Sequence, residues 1–496
     1  MRPARRSYPA RSQDGSNCMT INISKLFIGG EWVAGELGKT GPVIDPATEE
    51  KIGEVCHAGP NDLRRAIDAA KDGMNDWLAV PPWDRGGVLI RAAELLRTRQ
   101  DEIARLITAE HGKPLADSLV EIDRAAGFIE WGGEEARRVA SRKFPARDGR
   151  SEVTIETVPV GIVAAFTPWN YPVLQASKKL AALLGAGCSC VLKPAEETPA
   201  STIKLIETLL DAGLPEKTIN VVFGVPADIS SFLIADPAIR KITFTGSVPV
   251  GKLLAAQAGE YMKPVTMELG GHSPVIVFDD VDVDQTVELL AARKFNNTGQ
   301  VCVSPTRFFI QRSVYAPFVD KFCEKASAIK VGRGFEAGVT MGPLANDRRL
   351  QAIQDLVADA VGKGATIRTG GNRIGNKGYF FEPTVLTNVA LDCDLMTTEP
   401  FGPVVPILPF DNEEEVLELA NASDYGLSGY FFTQDAERQR KFATELEVGT
   451  VGINDTPIHV GEIPLGGWKD SGYGVEGGIE MLSAFLKSKF IYNKRP

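Results

Sequence analysis

The 496-residue sequence predicts an α/β fold in three parts: a doubly wound parallel sheet, a second α/β domain and a small β arm. Three observations lead there. Between residues 161 and 260, strand, short loop and helix follow one another four times, the pattern of a parallel sheet covered by helices. From 273 to about 453 a second series of strands and helices starts afresh. Residues 142–160 place Val153, Ile155 and Thr157 in alternation with Glu152, Thr154 and Glu156 after an Asp148-Gly149-Arg150 turn. That alternation reads as a hairpin with unlike faces, suited either to contact with a partner subunit or to an internal sheet edge.

Taken in order, residues 1–18 are basic and rich in Arg, Ser and Pro without an apolar stretch, so they are not a secretory signal. Pro3 and Pro9 disfavour an amphipathic transit helix. A disordered extension is expected, with Met19 as an alternative start. A short strand falls at 25–32, and 62–79, 83–99 and 100–111 carry apolar residues at helical spacing. Strands are expected at 162–166, 189–193, 218–223 and 241–245, followed by helices at 173–185, 200–211, 227–235 and 251–259. Ligands of such sheets lie outside the carboxyl ends of the strands, where each of the intervening loops falls. In the second domain the expected strands are 274–278, 307–311, 365–368, 404–410 and 426–433, and the tail at 487–493 is a strand that could pair with the hairpin.

Composition narrows the function. A net charge of -10 argues against a nucleic-acid surface, and 44% apolar with 24% charged residues is ordinary for a globular protein. No apolar run approaches the roughly eighteen residues of a membrane span. Seven cysteines without framework spacing point to free thiols and a reducing compartment, so a cytoplasmic location is expected. No metal is expected: the four histidines lack ligand spacing, and Asp280-Val281-Asp282-Val283-Asp284 lacks the glycine and terminal glutamate of a calcium loop.

Several residues have the chemistry of a site. Cys302 sits in a glycine-bearing loop between a helix and a strand, which suits either a reactive thiol or a core cysteine. Gly246 and Gly251 bracket a strand-to-helix junction whose N–H groups suit a pyrophosphate; packing glycines are the alternative. Lys193 and Glu196 flank another strand end, where a carboxylate accepts from ribose hydroxyls and repels a 2′-phosphate, favouring NAD over NADP; a surface ion pair is the alternative. Glu268, between apolar residues and glycines, is expected to have the raised pKa of a general base. Asn170 in a proline-bracketed loop is a neutral donor for an oxyanion, and Glu399 is a carboxylate held by a stiff Pro-Phe-Gly-Pro turn.

The motifs Pro168-Trp169-Asn170-Tyr171-Pro172, Lys193-Pro194-Ala195-Glu196, Phe244-Thr245-Gly246-Ser247, Glu268-Leu269-Gly270-Gly271, Gly299-Gln300-Val301-Cys302, Glu399-Pro400-Phe401-Gly402-Pro403 and Gly466-Gly467-Trp468-Lys469-Asp470-Ser471-Gly472 occur in one order. Together they resemble the NAD(P)-dependent aldehyde dehydrogenase superfamily over nearly the whole chain. The resemblance implies a cofactor domain at 19–140 and 161–270, a catalytic domain at 271–486, and an oligomerisation arm at 141–160 and 487–496, in a homodimer or homotetramer. It implies Cys302 as nucleophile, Glu268 as the base that activates hydrolytic water, and Asn170 with the Cys302 backbone N–H as oxyanion donors. Lys179 and Glu476 would relay protons. Trp169 and Ser247 would meet the pyrophosphate beside Gly246, Lys193 and Glu196 the adenosine ribose, Glu399 the nicotinamide ribose, and Phe401 the ring. NAD is the expected cofactor and NADP the alternative.

Within the superfamily, the residues around Glu268, Cys302 and Lys469-Asp470-Ser471-Gly472 look most like succinate-semialdehyde and 2-oxoglutarate-semialdehyde dehydrogenases. Their patterns carry one arginine in the helix after the Asn motif and another six residues before the cysteine. Here Lys178 and Asn296 stand at those positions, Leu465 replaces a phenylalanine, and Val301 and His459 complete the expected pocket. Lysine lacks the bidentate fork of arginine, and asparagine lacks the charge. The expected substrate is therefore a neutral or aromatic aldehyde, with a semialdehyde as the alternative. A catalytically silent homologue, a cofactor-independent thiol hydrolase and a coenzyme A-acylating relative are the other classes. The first is disfavoured by the presence of Cys302, Glu268 and Asn170, the second by the cofactor motifs and the absence of a histidine partner for the thiol, and the third, the closest of them, by Glu268, which such relatives typically lack.

Overall fold

The structure is a computed structural model that describes residues 24–457 and 459–494. The expected extension at 1–18 lies outside the described residues.

Five parallel strands form the centre of the first sheet, in the order Ile219–Val221, Cys190–Lys193, Ile162–Phe166, Ile239–Thr245, Val265–Glu268. The first of them to be made, Ile162–Phe166, lies in the middle, and the strand order reverses between it and Ile239–Thr245. That is the doubly wound arrangement, and a crevice opens at the reversal. Ile162–Phe166 is buried along its whole length, as expected of a strand covered on both faces, and its run of Ile-Val-Ala-Ala-Phe has no polar side to expose. Leu26–Ile28 and Glu31–Val33 extend one edge antiparallel. Helices Pro60–Ala79, Pro82–Thr98, Gln100–His111 and Leu115–Ala136 pack into the same core; Trp77, fully buried, donates its indole N–H to the Leu184 carbonyl at 3.0 Å.

Two features of this sheet differ from the sequence expectation. Val265–Glu268 is a fifth parallel strand, and Gly472–Tyr473 pairs antiparallel with it, Gly472 opposite Glu268. Within the expected catalytic span 271–486, residues 472–473 thus belong to the first sheet, and Met481, Leu482 and Phe485 to its core. The cause is apolar burial: those three side chains have no other core to enter.

The second sheet runs Thr366–Thr369, Thr384–Thr387, Val404–Phe410, Pro305–Gln311, Ser273–Val277, Ser428–Phe432, Thr450–Ile453, parallel except for its first pair. Cores of Phe, Leu, Val and Ile lie on its two faces. The arm is a three-stranded antiparallel sheet: Arg142–Pro145 pairs with Ser151–Pro159, which pairs with Leu486–Lys494 from Leu486↔Pro159 to Lys494↔Ser151. A separate hairpin, Thr40–Asp45 with Glu50–Cys56, was not expected from sequence. Among the described residues no helix is long and apolar enough to cross a membrane, and no group of three or more His, Cys, Asp or Glu is gathered for a metal ion.

Candidate active site

The Cys302 loop is held open by an unusual backbone. Helix Val283–Phe295 gives way to a turn at Asn296–Gly299 in which Asn297, Thr298 and Gly299 all have positive φ, at 50°, 58° and 70°. For Asn297 and Thr298 this conformation is costly and needs support from its surroundings. The support is visible. Asn297 donates its side-chain amide to the carbonyls of Asn170 (3.1 Å) and Gln300 (3.3 Å), Thr298 donates to the Gly342 carbonyl (3.0 Å), and Gln300 accepts from the Ala345 N–H (2.9 Å). A Cβ on Gly299 would lie 2.2 Å from the Gly402 carbonyl oxygen, so only glycine lets the two loops touch.

Asn170 follows strand Ile162–Phe166 and is buried. Its amide donates to the Gln300 carbonyl at 3.0 Å, which aims the group across the Cys302 loop, and its own carbonyl accepts from Lys113 at 2.7 Å. Lys113 is fully buried and paired with equally buried Glu121 at 2.7 Å. Glu121 in turn accepts the Val173 and Leu174 N–H groups at 3.0 and 3.2 Å, at the start of helix Pro172–Gly185. This pair fixes the Asn170 loop from behind. Sequence reasoning missed it; the one signal was a lysine held between a helix-ending glycine and a proline in His111-Gly112-Lys113-Pro114. Lys113→Met should destabilise the protein by about 3–5 kcal/mol, since it strands the Glu121 carboxylate in the core, and denaturant unfolding measures the loss.

Cys302 lines two cavities. One, of about 460 Å³, is also lined by Trp169, Asn170, Gly246, Ser247, Glu399 and Phe401, so the structure brings together six of the residues singled out for a cofactor or for the reaction. Trp169 stands edge-on to Phe401 at 5.6 Å, with the His111 ring 5.7 Å away. Ser247 caps helix Val248–Glu260 without a side-chain hydrogen bond, leaving the Val248 and Val250 N–H groups of its first turn, either side of Pro249, free for an anion. Glu399 accepts the Gly271 N–H at 3.0 Å, and burial pushes its carboxyl up to about 7 against the opposing influence of that bond, Arg349 and Lys294. Lys193 and Glu196 are not in this lining. They form an ion pair at 2.6 Å at the neighbouring strand end, with Glu196 also accepting the Gly224 N–H at 3.0 Å.

Glu268 ends strand Val265–Glu268 and is buried, with Oε1 lacking a hydrogen-bond partner among the described residues. Burial, reinforced by Glu476, raises its pKa well above the ordinary carboxylate range, while Lys178 and Lys179 pull the other way. Behind it Lys179 and Glu476 form a buried ion pair at 2.6 Å, and Lys179 also reaches the Thr243 hydroxyl at 3.2 Å. Burial likewise pushes the Cys302 thiol up to about 12; Lys178 opposes, and Glu399, Glu268 and Glu476 add to the rise. At neutral pH the sulfur therefore keeps its proton until a base or a cation arrives.

The second cavity, of about 90 Å³, contains all five residues expected for the substrate pocket: Lys178, Asn296, Val301, His459 and Leu465. It also contains Arg124, from helix Leu115–Ala136, and Arg293, which sequence reasoning did not place there. The cavity's charge thus runs against the expectation of a neutral aldehyde: three cations and no carboxylate line it. Arg293 stands nine residues before Cys302, on the helix Val283–Phe295 that leads into its loop, whereas Arg124 is far away in sequence; neither falls in a motif, and helix packing turns both towards the cavity.

The matched family model describes the aldehyde dehydrogenase family and spans residues 32–491. The chain belongs to the aldehyde dehydrogenase family, and is an oxidoreductase acting on aldehydes. It is similar to 4-(hydroxymethyl)benzenesulfonate dehydrogenase of Comamonas testosteroni, 44% identical over 94% of this chain and 98% of that protein. The crystal structure of succinate-semialdehyde dehydrogenase from Burkholderia pseudomallei superposes with a TM-score of 0.93 at 40% identity, covering 98% of this chain and 100% of that one. The NAD+ complex of aldehyde dehydrogenase from Bacillus cereus gives a TM-score of 0.92 at 34% identity, covering 95% and 96%.

Proposed function

We propose that this enzyme oxidises an aldehyde bearing an anionic group to the carboxylic acid, with NAD as the favoured acceptor and NADP as the alternative. The single observation that carries the substrate class is Lys178. It is 4% exposed, lines the cavity at Cys302 and has no hydrogen bond or ion pair among the described residues. A buried ammonium with no hydrogen-bonded or ion-paired partner is costly even with Glu268 within electrostatic reach, and an anionic substrate would supply that partner. The names of the relatives agree in kind: a benzenesulfonate and a semialdehyde both carry a negative group.

The residues fit the cofactor. The larger cavity offers free helix N–H groups at Ser247, a buried carboxylate at Glu399 for a ribose hydroxyl and the Trp169 and Phe401 rings for a flat heterocycle. Gly270 is needed there, because a Cβ would lie 2.3 Å from Glu399 Oε2. Glu196, ion-paired with Lys193 at 2.6 Å, would repel a 2′-phosphate.

In the reaction Cys302 Sγ gives up its proton to water in the cavity and attacks the carbonyl carbon, and the oxyanion takes hydrogen bonds from the Asn170 amide and the Cys302 backbone N–H. When bound, the oxidised nicotinamide supplies the hydride acceptor, and the carbon is left as a thioester on Cys302. Glu268 takes a proton from the water that attacks this thioester, and the Lys179–Glu476 pair behind it carries that proton onward. The arm leaves Phe144, Phe490 and Tyr492 exposed, which supports assembly into a homodimer or homotetramer.

A steady-state panel tests the substrate class. With purified protein and NAD, 4-formylbenzenesulfonate or succinate semialdehyde should exceed both benzaldehyde and hexanal by at least about tenfold in kcat/KM. A lead for either neutral aldehyde overturns the reading.

A further inference from the structure

The patterns of the semialdehyde dehydrogenases put an arginine six residues before the cysteine, and Asn296 occupies that place here. The structure shows what Asn296 does instead. Its side-chain oxygen accepts from the Tyr171 hydroxyl at 3.2 Å, and its side chain hydrogen-bonds Asp117. Asn296 is engaged within the wall and has neither the charge nor the free donors to hold an anion.

Arg124 stands at the mouth of the same cavity, lining both it and an outer groove. It makes no hydrogen bond or ion pair among the described residues. The acids around it on its own helix are engaged elsewhere: Glu121 with Lys113 at 2.7 Å, Asp123 and Glu130 with Arg97 at 3.7 and 2.5 Å. Asp117 is within electrostatic reach, yet it takes the Asn297 N–H and the Asn296 side chain, and burial favours its neutral form. Deeper in, Lys178 is buried without a hydrogen-bonded or ion-paired partner among the described residues, its Nζ 5.1 Å from the centre of the Phe128 ring. Both ring nitrogens of His459 are enclosed without a partner among the described residues. Burial, with Lys178 and Arg124 adding to it, holds that imidazole down at about 3, so it is a neutral ring with one N–H to donate. With Arg293 from helix Val283–Phe295, four donors from four separate segments therefore line one chamber, and none has an acceptor among the described residues.

We propose that Arg124 is a specificity-determining residue: it anchors a sulfonate on an aromatic aldehyde, with Lys178, Arg293 and His459 as the other donors. The inference rests on the anionic-substrate reading above and adds the residue and the kind of anion. Donors spread over four segments can reach all three oxygens of a tetrahedral sulfonate, whereas a planar carboxylate offers two oxygens and is satisfied by one guanidinium fork alone. Tyr171, Tyr430, Leu174 and Leu465 provide a wall on which an aromatic ring can lie between the anion and Cys302.

The test compares wild type, Arg124→Gln and Arg124→Lys on 4-formylbenzenesulfonate, 4-carboxybenzaldehyde and benzaldehyde, with NAD binding and circular dichroism as checks that each variant is folded. In Arg124→Gln, KM for the sulfonated aldehyde should rise at least about tenfold with a smaller change in kcat. Its kcat/KM relative to benzaldehyde should fall by a similar factor, and Arg124→Lys should recover part of the loss. A ratio that moves less than about twofold in Arg124→Gln, while wild type still prefers anionic aldehydes, overturns the role of Arg124 alone. A wild type that prefers the carboxylate overturns the sulfonate assignment. A wild type without anion preference overturns the broader reading, and this inference with it.

Discussion

Cys302→Ala is expected to abolish aldehyde oxidation, by at least about ten-thousandfold in kcat, while NAD still binds. The loss is large because the thiol does two things that no neighbouring group can do: it makes the carbonyl carbon tetrahedral, and it later departs from a thioester. Cofactor binding survives because Cys302 is one residue at the edge of the larger cavity, whose other walls come from Trp169, Ser247, Glu399 and Phe401. Reduced-nicotinamide absorbance follows the first quantity and calorimetric titration the second. Turnover in the variant above that level would assign the nucleophile elsewhere.

The second large effect falls on Glu268. Glu268→Gln keeps the size of the side chain and removes the base, so steady-state turnover should fall by about a hundredfold to ten-thousandfold. A single-turnover burst of reduced cofactor should remain, because the variant acylates Cys302 and then stalls. Equal loss of burst and steady state would place Glu268 before the thioester. The wild-type pH profile carries a second signature. The working form of the base is deprotonated and its pKa is raised by burial and Glu476, so kcat should fall as pH drops through an acid limb above the ordinary carboxylate range. In Glu268→Gln that limb should vanish from the residual rate.

What the sequence disclosed follows from how local each feature is. The strands 162–166 and 241–245 were legible because each is a short apolar run between a turn and a helix, and the nucleophile loop because glycine and cysteine stand together between a helix and a strand. Val265–Glu268 escaped notice as a strand, since its four residues end on a carboxylate and two glycines, and only the neighbouring Ile239–Thr245 makes them a strand. The arm was legible from alternation on 151–159, and the matching tail completes it. In the pocket the failure was of another kind. Reading Lys178 as the loss of a fork and Asn296 as the loss of a charge was sound residue by residue, but charge in a cavity is a property of everything that packs around it. Arg124 arrives on a helix whose sequence shows only apolar periodicity, and Lys113 and Glu121 likewise reveal their role only when helix Pro172–Gly185 is laid against them.

Gly472–Tyr473, the strand that lies against Glu268, has a bearing on how the protein is born. The first sheet begins with Leu26 and is not closed until Tyr473 has left the ribosome, and Glu476 follows only three residues later. From its own synthesis until Tyr473 and Glu476 emerge, the base therefore lacks its last wall and its acidic neighbour. The environment that makes Glu268 basic is thus completed only by the final stretch of synthesis, long after Cys302 and Glu268 themselves have been made.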